Sequence, residues 1–177
     1  IFDPEDRGED YWGYTEAFYS VGFRPGDAVQ NTFNYQLTPA GLMFEEPLRN
    51  LGCAVIPAGP SDAATQLDIM QKLRVSGYVG TASYLMHLAQ KAEEKGINLR
   101  KDLFQEVAFV TGERLSEKMR NQLEKKFDII LRQGYGTADV GCIGYECFHK
   151  TGLHISNRCY VEICHPDTGI PLKDGEV

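Results

Sequence analysis

Two short stretches carry residue types suited to holding a phosphorylated ligand. Thr111-Gly112-Glu113-Arg114 and Gln133-Gly134-Tyr135-Gly136-Thr137-Ala138-Asp139 each combine glycine with hydroxyl, carboxylate or aromatic side chains. Glycine lets a backbone approach a ligand closely, and its amide can face phosphate oxygens. Tyr135 can stack on a planar base, and Asp139 can hold a hard cation such as magnesium. The same stretches also have the composition of plain turns, with Glu113 and Asp139 as solvated carboxylates. A third group lies nearer the C-terminus, where Cys142, Cys147, Cys159 and Cys164 share one stretch with His149, His154 and His165. Thiolate and imidazole are good zinc ligands, and a closed structural site takes four of them. Buried thiols packing as small hydrophobes are the alternative. Cys53, in an apolar run, reads as core. His87 and His149 join no nucleophile–base pattern, which gives no ground for a hydrolase.

The elements that must position these groups alternate along the first two-thirds of the chain. Helices are expected at Glu9–Gly22, at Thr38–Asn50 (capped by Thr38, and kinked or shortened by Pro47), at Asp62–Val75 capped by Asp62, from Ser83 as cap to near Gly96, and at Ser116–Phe127. Strands are expected at Asp27–Phe33, Cys53–Pro57, Tyr78–Gly80, Val107–Val110 and Ile129–Leu131. Strands alternating with helices of these lengths imply βαβ units and a parallel sheet. After Gly136 the pattern becomes short antiparallel strands around Ile143–Cys147, Leu153–Ser156 and Tyr160–Cys164. The fold class is therefore α/β: a mainly parallel sheet flanked by helices, followed by short antiparallel β segments. Residues 1–140 form the α/β portion, and 141–177 an antiparallel segment of the same domain. Ligands of an open parallel sheet bind at the carboxyl ends of its strands. Thr111–Arg114 and Gln133–Asp139 follow two such ends.

Composition sets outer limits. With 177 residues, 42% hydrophobic and 24% charged, the chain is long enough for one buried core and too apolar for disorder. A formal charge of −7 argues against nucleic-acid binding, which needs basic patches. No apolar run approaches the roughly twenty residues that span a bilayer. Five cysteines, an odd number, disfavour a paired disulfide framework, and a reducing, cytoplasmic setting is expected. The ends, Ile1-Phe2-Asp3-Pro4 and Lys173-Asp174-Gly175-Glu176-Val177, read as cut, the latter as a turn leading into a strand.

Segments spread in order along nearly the whole chain resemble the phenylacetate–CoA ligase branch of the acyl-adenylate-forming enzymes. Tyr135-Gly136-Thr137-Ala138-Asp139 is similar to the Tyr-Gly-x-Ser/Thr-Glu motif of that superfamily. Glu146-Cys147 and Gly152-Leu153-His154-Ile155 follow as in the family. Glu162-Ile163-Cys164-His165-Pro166-Asp167-Thr168-Gly169 is similar to its strand and "DPxTG" turn, with His165 for the first Asp. Arg24–Asn31 resembles its "RPGDxVQN" segment, and Cys53–Pro57 and Gly112–Arg120 fall in its order.

The resemblance implies an enzyme that joins a carboxylic acid, an aryl acid above all, to AMP from ATP and then passes the acyl group to CoA. It assigns Thr111, Gly112, Glu113 and Arg114 to the adenine and ribose, and Gln133, Gly134, Tyr135, Gly136 and Thr137 to the adenine and α-phosphate. Thr137 and Asp139 then act in catalysis, with Asp139 at the magnesium. Phe33, Asn34 and Tyr35 match the segment lining the acid pocket, while packing into the core is the plainer reading for Leu37. The resemblance also carries Cys147 and His154, the proposed zinc pair; the remaining two ligands are left open between Cys142 with Cys159 or Cys164 and residues beyond Val177. It places a glycine-rich phosphate loop before Ile1 and a lysine-bearing small domain after Val177, so the isolated chain is expected not to turn over. A homodimer is a further expectation. The chain departs from the pattern at Ala138, where Ser or Thr is usual, at Asp139 for Glu, and at Arg114 for Pro. Two other readings stay open: adenylylation of a cofactor hydroxyl, and a noncatalytic zinc-stabilised nucleotide-binding module.

Overall fold

The computed structural model describes residues 10–173 and 175. The helix start expected at Glu9 and most of the terminal 173–177 turn lie outside these residues.

Five helices alternate with strands: α1 (Thr15–Val21), β1 (Ala28–Asn31), α2 (Ala40–Asn50), β2 (Ala54–Pro57), α3 (Ala63–Lys72), β3 (Gly77–Gly80), α4 (Ala82–Glu94), β4 (Val107–Val110), α5 (Glu117–Phe127), β5 (Ile130–Thr137), β6 (Gly141–Tyr145) and β7 (His154–Ile155). They form one seven-stranded sheet in the order β2-β1-β3-β4-β5-β6-β7. The first five strands run parallel, and β6 and β7 add antiparallel. Strand order reverses between β1 and β3, which opens a crevice at their carboxyl ends.

β4 shows why the sheet must be covered on both faces. Its Ala108 and Val110 enter a core with Leu67 and Met70 of α3, Leu85 and Leu88 of α4, and Leu123 and Phe127 of α5. Val107 and Phe109 enter a second core with Phe18 of α1 and Phe44 and Leu48 of α2. Side chains two apart share a face, so a continuous apolar run buried on both sides is what a central parallel strand requires.

Several expectations are corrected. α4 is capped by Thr81, whose hydroxyl accepts the Tyr84 N–H, rather than by Ser83. Pro47 lies inside α2 without ending it, and the helix runs on to Asn50. Leu37, expected in the core, is fully exposed and has a left-handed φ of 55°. The strand expected at Tyr160–Cys164 is reduced to a single bridge, Cys164 to Pro171. The largest difference is β5, which does not stop at Leu131 but continues to Thr137. Its first half pairs parallel with β4 and its second half antiparallel with β6. Gly134 and Gly136 are therefore strand residues. A Cβ at Gly134 would overlap the Phe109 ring, and one at Gly136 would overlap the Tyr14 hydroxyl and the Gly141 carbonyl. Close packing, not a turn, requires these glycines.

Candidate active site at the carboxyl ends of β4 and β5

Thr111, Gly112, Glu113 and Arg114, leaving β4, and Gln133, Gly134, Tyr135 and Gly136 of β5 line one cleft of about 480 Å³, closed on one side by Leu153. The two stretches singled out in the sequence thus face each other across a single opening. Gly112 has φ 83°, a left-handed backbone that only glycine adopts without strain. Tyr135 is 58% exposed, leaving its ring face free for a planar partner. Arg114 supplies a cation at the rim.

Glu113 has a definite structural task. Its carboxylate accepts from the Ser83 amide at 2.5 Å and from the Ser83 hydroxyl at 2.9 Å, tying the end of β4 to the first turn of α4. A carboxylate there satisfies an amide that the helix cannot, and it complements the helix dipole.

Thr137, the exposed last residue of β5, and Asp139, on the exposed turn that follows, lie outside the residues lining the cleft. The Thr137 hydroxyl accepts the Val140 N–H at 3.2 Å, which leaves its own proton free to donate. Asp139 is exposed. Magnesium keeps several waters and takes one or two carboxylates plus phosphate oxygens, so a single exposed carboxylate fits that mode.

A second cavity of about 180 Å³ occupies the crevice where strand order reverses. Thr32 and Phe33 after β1, Pro60 and Ser61 after β2, and Thr81 and Tyr84 at the start of α4 line it. The linings of the two cavities are neighbours at Gly112, where a Cβ would lie 3.8 Å from Phe33 and 3.9 Å from Thr81. Phe33 packs on Phe44 with ring centroids 4.7 Å apart and presents its free side to this space. Asn34 and Tyr35 do not line it. The Asn34 side chain accepts from the Gln36 amide, and the Tyr35 hydroxyl accepts from Asn31 at 2.9 Å. Burial, joined by a hydrogen bond to Glu45, pushes the Tyr35 phenol well above its usual range. Tyr78, buried beneath the cavity, donates to the Thr81 carbonyl, and burial likewise raises its phenol.

The Cys/His region is less convergent. His154 lies opposite Tyr145 on β7 and is exposed, and Cys147 follows β6. Cys142 is buried, Cys164 is exposed, and the Cys159 thiol donates to the Cys142 carbonyl at 3.5 Å. Among the described residues no three His, Cys, Asp or Glu converge on one point. Cys147 and His154 alone do not make a closed four-ligand zinc site.

The sequence reading passed over several residues of the site. Thr32, Ser61 and Thr81 each follow a parallel strand, so the rule that ligands bind at carboxyl ends was a signal for all three. Arg120 and Glu146 stand in the sequence only as members of family-like segments, with no role assigned to either. Glu146 is buried under the cleft, accepting from Arg120 Nη2 at 2.6 Å and Nη1 at 2.9 Å. It also accepts from the Gln133 amide N–H and side-chain NH2, both at 2.9 Å.

The mainly parallel sheet has the fold of solved acyl-CoA ligases. The structure of 2-hydroxyisobutyryl-CoA ligase in complex with 2-HIB-AMP and CoA superposes with a TM-score of 0.85 at 19% identity, over 92% of this chain and 37% of that one. A benzoate CoA ligase from Burkholderia xenovorans LB400 gives 0.69 at 19% identity, over 95% and 35%. No family model matches the chain. Its sequence relatives are phenylacetate–coenzyme A ligases. The Pseudomonas putida enzyme is 28% identical over 162 residues, 89% of this chain and 37% of the enzyme. The Escherichia coli K12 enzyme is 27% identical over 167 residues, 89% and 37%. The chain thus spans little more than a third of the length of these relatives.

Proposed function

We propose that this chain forms the nucleotide- and acid-binding part of an ATP-dependent acid–CoA ligase of the phenylacetate type. Such an enzyme joins the acid to AMP with release of pyrophosphate and then forms the CoA thioester. The observation that carries the reading is the closeness of two cavity linings at Gly112. An acyl-adenylate has a polar nucleotide half and an acyl half, and the molecule offers neighbouring spaces for both. The cleft carries glycine backbone, Arg114 and the open face of Tyr135. The smaller cavity carries Phe33, Pro60 and Tyr84, a wall suited to an aryl acid.

In this reading Tyr135 stacks on the base, and Thr111 to Arg114 border the adenine and ribose. Thr137 donates to the α-phosphate, and positioned donors of this kind stabilise charge developing there. Magnesium held by Asp139, directly or through water, would neutralise phosphate charge during the displacement. No step is assigned to zinc. No helix among the described residues is long and apolar enough to cross a membrane.

ATP–pyrophosphate exchange by the complete protein, measured across aryl and aliphatic acids, tests the proposal. Exchange that depends on an aryl acid and magnesium is expected. A protein that folds and supports exchange with no carboxylic acid contradicts it.

A further inference from the structure

Gln66 of α3 lines neither cavity and is fully buried. Its side-chain NH2 donates to the Gly59 carbonyl at 2.8 Å and to the Ser61 hydroxyl at 2.6 Å. A carbonyl has no proton to give, so the contact with Gly59 fixes which end of the amide faces this loop. The other end, the Gln66 side-chain carbonyl, receives the NH2 of Gln30 on β1, itself fully buried. The loop between β2 and α3 has few ties of its own. Gly59 donates its N–H to the Asn31 carbonyl at 3.0 Å, but Pro60 has no N–H, and the Ser61 N–H turns back onto Gly59 at 3.0 Å. From α4, the Tyr84 hydroxyl donates to the Ser61 carbonyl at 2.6 Å. Pro60 and Ser61, both in the lining of the smaller cavity, are thus tied to α3 and to α4 through side chains.

We infer that Gln66 is a positioning residue for the acid: it holds the Pro60–Ser61 wall in place from behind, so that the smaller cavity discriminates acids by size. This rests on that cavity holding the acid, as proposed above. The wall cannot back away cheaply, because moving it leaves the Gln66 amide unpaired in the core, where a lost partner costs most. A small misplacement of a wall that orients the acid is also enough to weaken its binding. None of these hydrogen bonds involves a residue that lines the larger cleft, so the effect falls on the acid and spares the nucleotide.

ATP–pyrophosphate exchange kinetics of the complete protein with phenylacetate and para-methylphenylacetate test the inference. Gln66→Leu removes both donors from the loop. Its KM for phenylacetate should rise about tenfold, the worth of roughly one hydrogen bond, while its KM for ATP stays within about twofold. Its preference for phenylacetate over the methylated acid should shrink. Backbone amide exchange over residues 58–65 should quicken in the same variant, whatever its activity. Tyr84→Phe removes the tie from α4 and should raise the acid KM about threefold. Because both side chains act on Ser61, the double variant should raise it by less than the product of the two. A Gln66→Leu protein that unfolds cooperatively and keeps the wild-type acid KM overturns the role of Gln66, and so does one in which the acid and ATP KM values rise together. If Gln66→Leu does not fold, Tyr84→Phe decides, and an unchanged acid KM there overturns the inference. A wild type that takes both acids equally well also overturns it while leaving the ligase reading intact. A wild type that accepts no aryl acid removes the acid cavity itself.

Discussion

Arg120 of α5 and Glu146, which follows β6, meet as a buried ion pair at 2.6 Å beneath the floor of the cleft. The pair joins a helix to the antiparallel edge of the sheet, and through Gln133 it joins both to β5. Burial alone would raise the Glu146 carboxyl. Hydrogen bonds from Arg120 and Gln133 outweigh it and hold the group below the usual carboxylate range.

Removing one partner should be far worse than removing both. Glu146→Ala leaves the Arg120 guanidinium buried without its main counter-charge, at an expected cost of about 3–5 kcal/mol, whereas R120M/E146L should cost less, since the Gln133 N–H and the Leu131 carbonyl that then lose a partner carry no charge. Urea unfolding of the three proteins measures this. The pair also predicts acid sensitivity. With its folded pKa depressed, Glu146 contributes stability that is complete above the ordinary carboxylate range and is lost as pH falls through the folded value. The wild type should therefore lose stability on acidification more steeply than R120M/E146L does.

Close packing at Gly136 makes a second prediction. Gly136→Ala drives a methyl group into the Tyr14 hydroxyl and the Gly141 carbonyl, and should cost about 1–3 kcal/mol. The Tyr14 hydroxyl itself is buried and has no partner among the described residues. Tyr14→Phe should thus leave stability unchanged or raise it slightly, since no hydrogen bond is lost. Thermal unfolding checks both.

Phe33 and Tyr35 should separate by phenotype. Phe33→Ala enlarges the cavity beside Gly112 and should shift acid preference toward bulkier acids, read as a change in relative kcat/KM. Tyr35→Phe removes a hydroxyl bonded to Asn31 and should lower stability by about 1 kcal/mol without changing the order of acids.

Thiol labelling should follow burial. Burial pushes the Cys142 thiol up to about 12 and the Cys53 thiol up to about 11, so neither holds appreciable thiolate at neutral pH. Exposed Cys164 should react first with a maleimide, and Cys53 and Cys142 only on unfolding. Mass mapping of the labelled peptides decides it.

Local signals were legible where one segment suffices to specify structure. Val107–Val110 is a strand with those bounds, and Asp62 caps α3 by accepting from the Ala64 and Thr65 amides. Harder cases turned on partners distant in the chain. β5 runs on to Thr137 because β6 supplies an antiparallel neighbour, and Gly134 and Gly136 resemble turn residues until the Phe109 ring and Tyr14 fill their missing side chains. Ser83 has the chemistry of a cap. It yielded that place to Thr81 and is held instead by Glu113, thirty residues away. Of the two stretches named for their chemistry, the cleft gathers Thr111 to Arg114 and Gln133 to Gly136 but leaves out Thr137 at the end of β5 and Asp139 on the turn beyond. Tyr35 is drawn toward α2 by Asn31. None of these pairings has a period or spacing that a sequence pattern could register.

The most direct test of the central claim is a crystal structure of the complete protein with AMP. The nucleotide should lie in the cleft between Thr111–Arg114 and Gln133–Gly136, its base against Tyr135 and its phosphate toward Thr137. A well-ordered AMP bound elsewhere, with that cleft empty, would contradict the account.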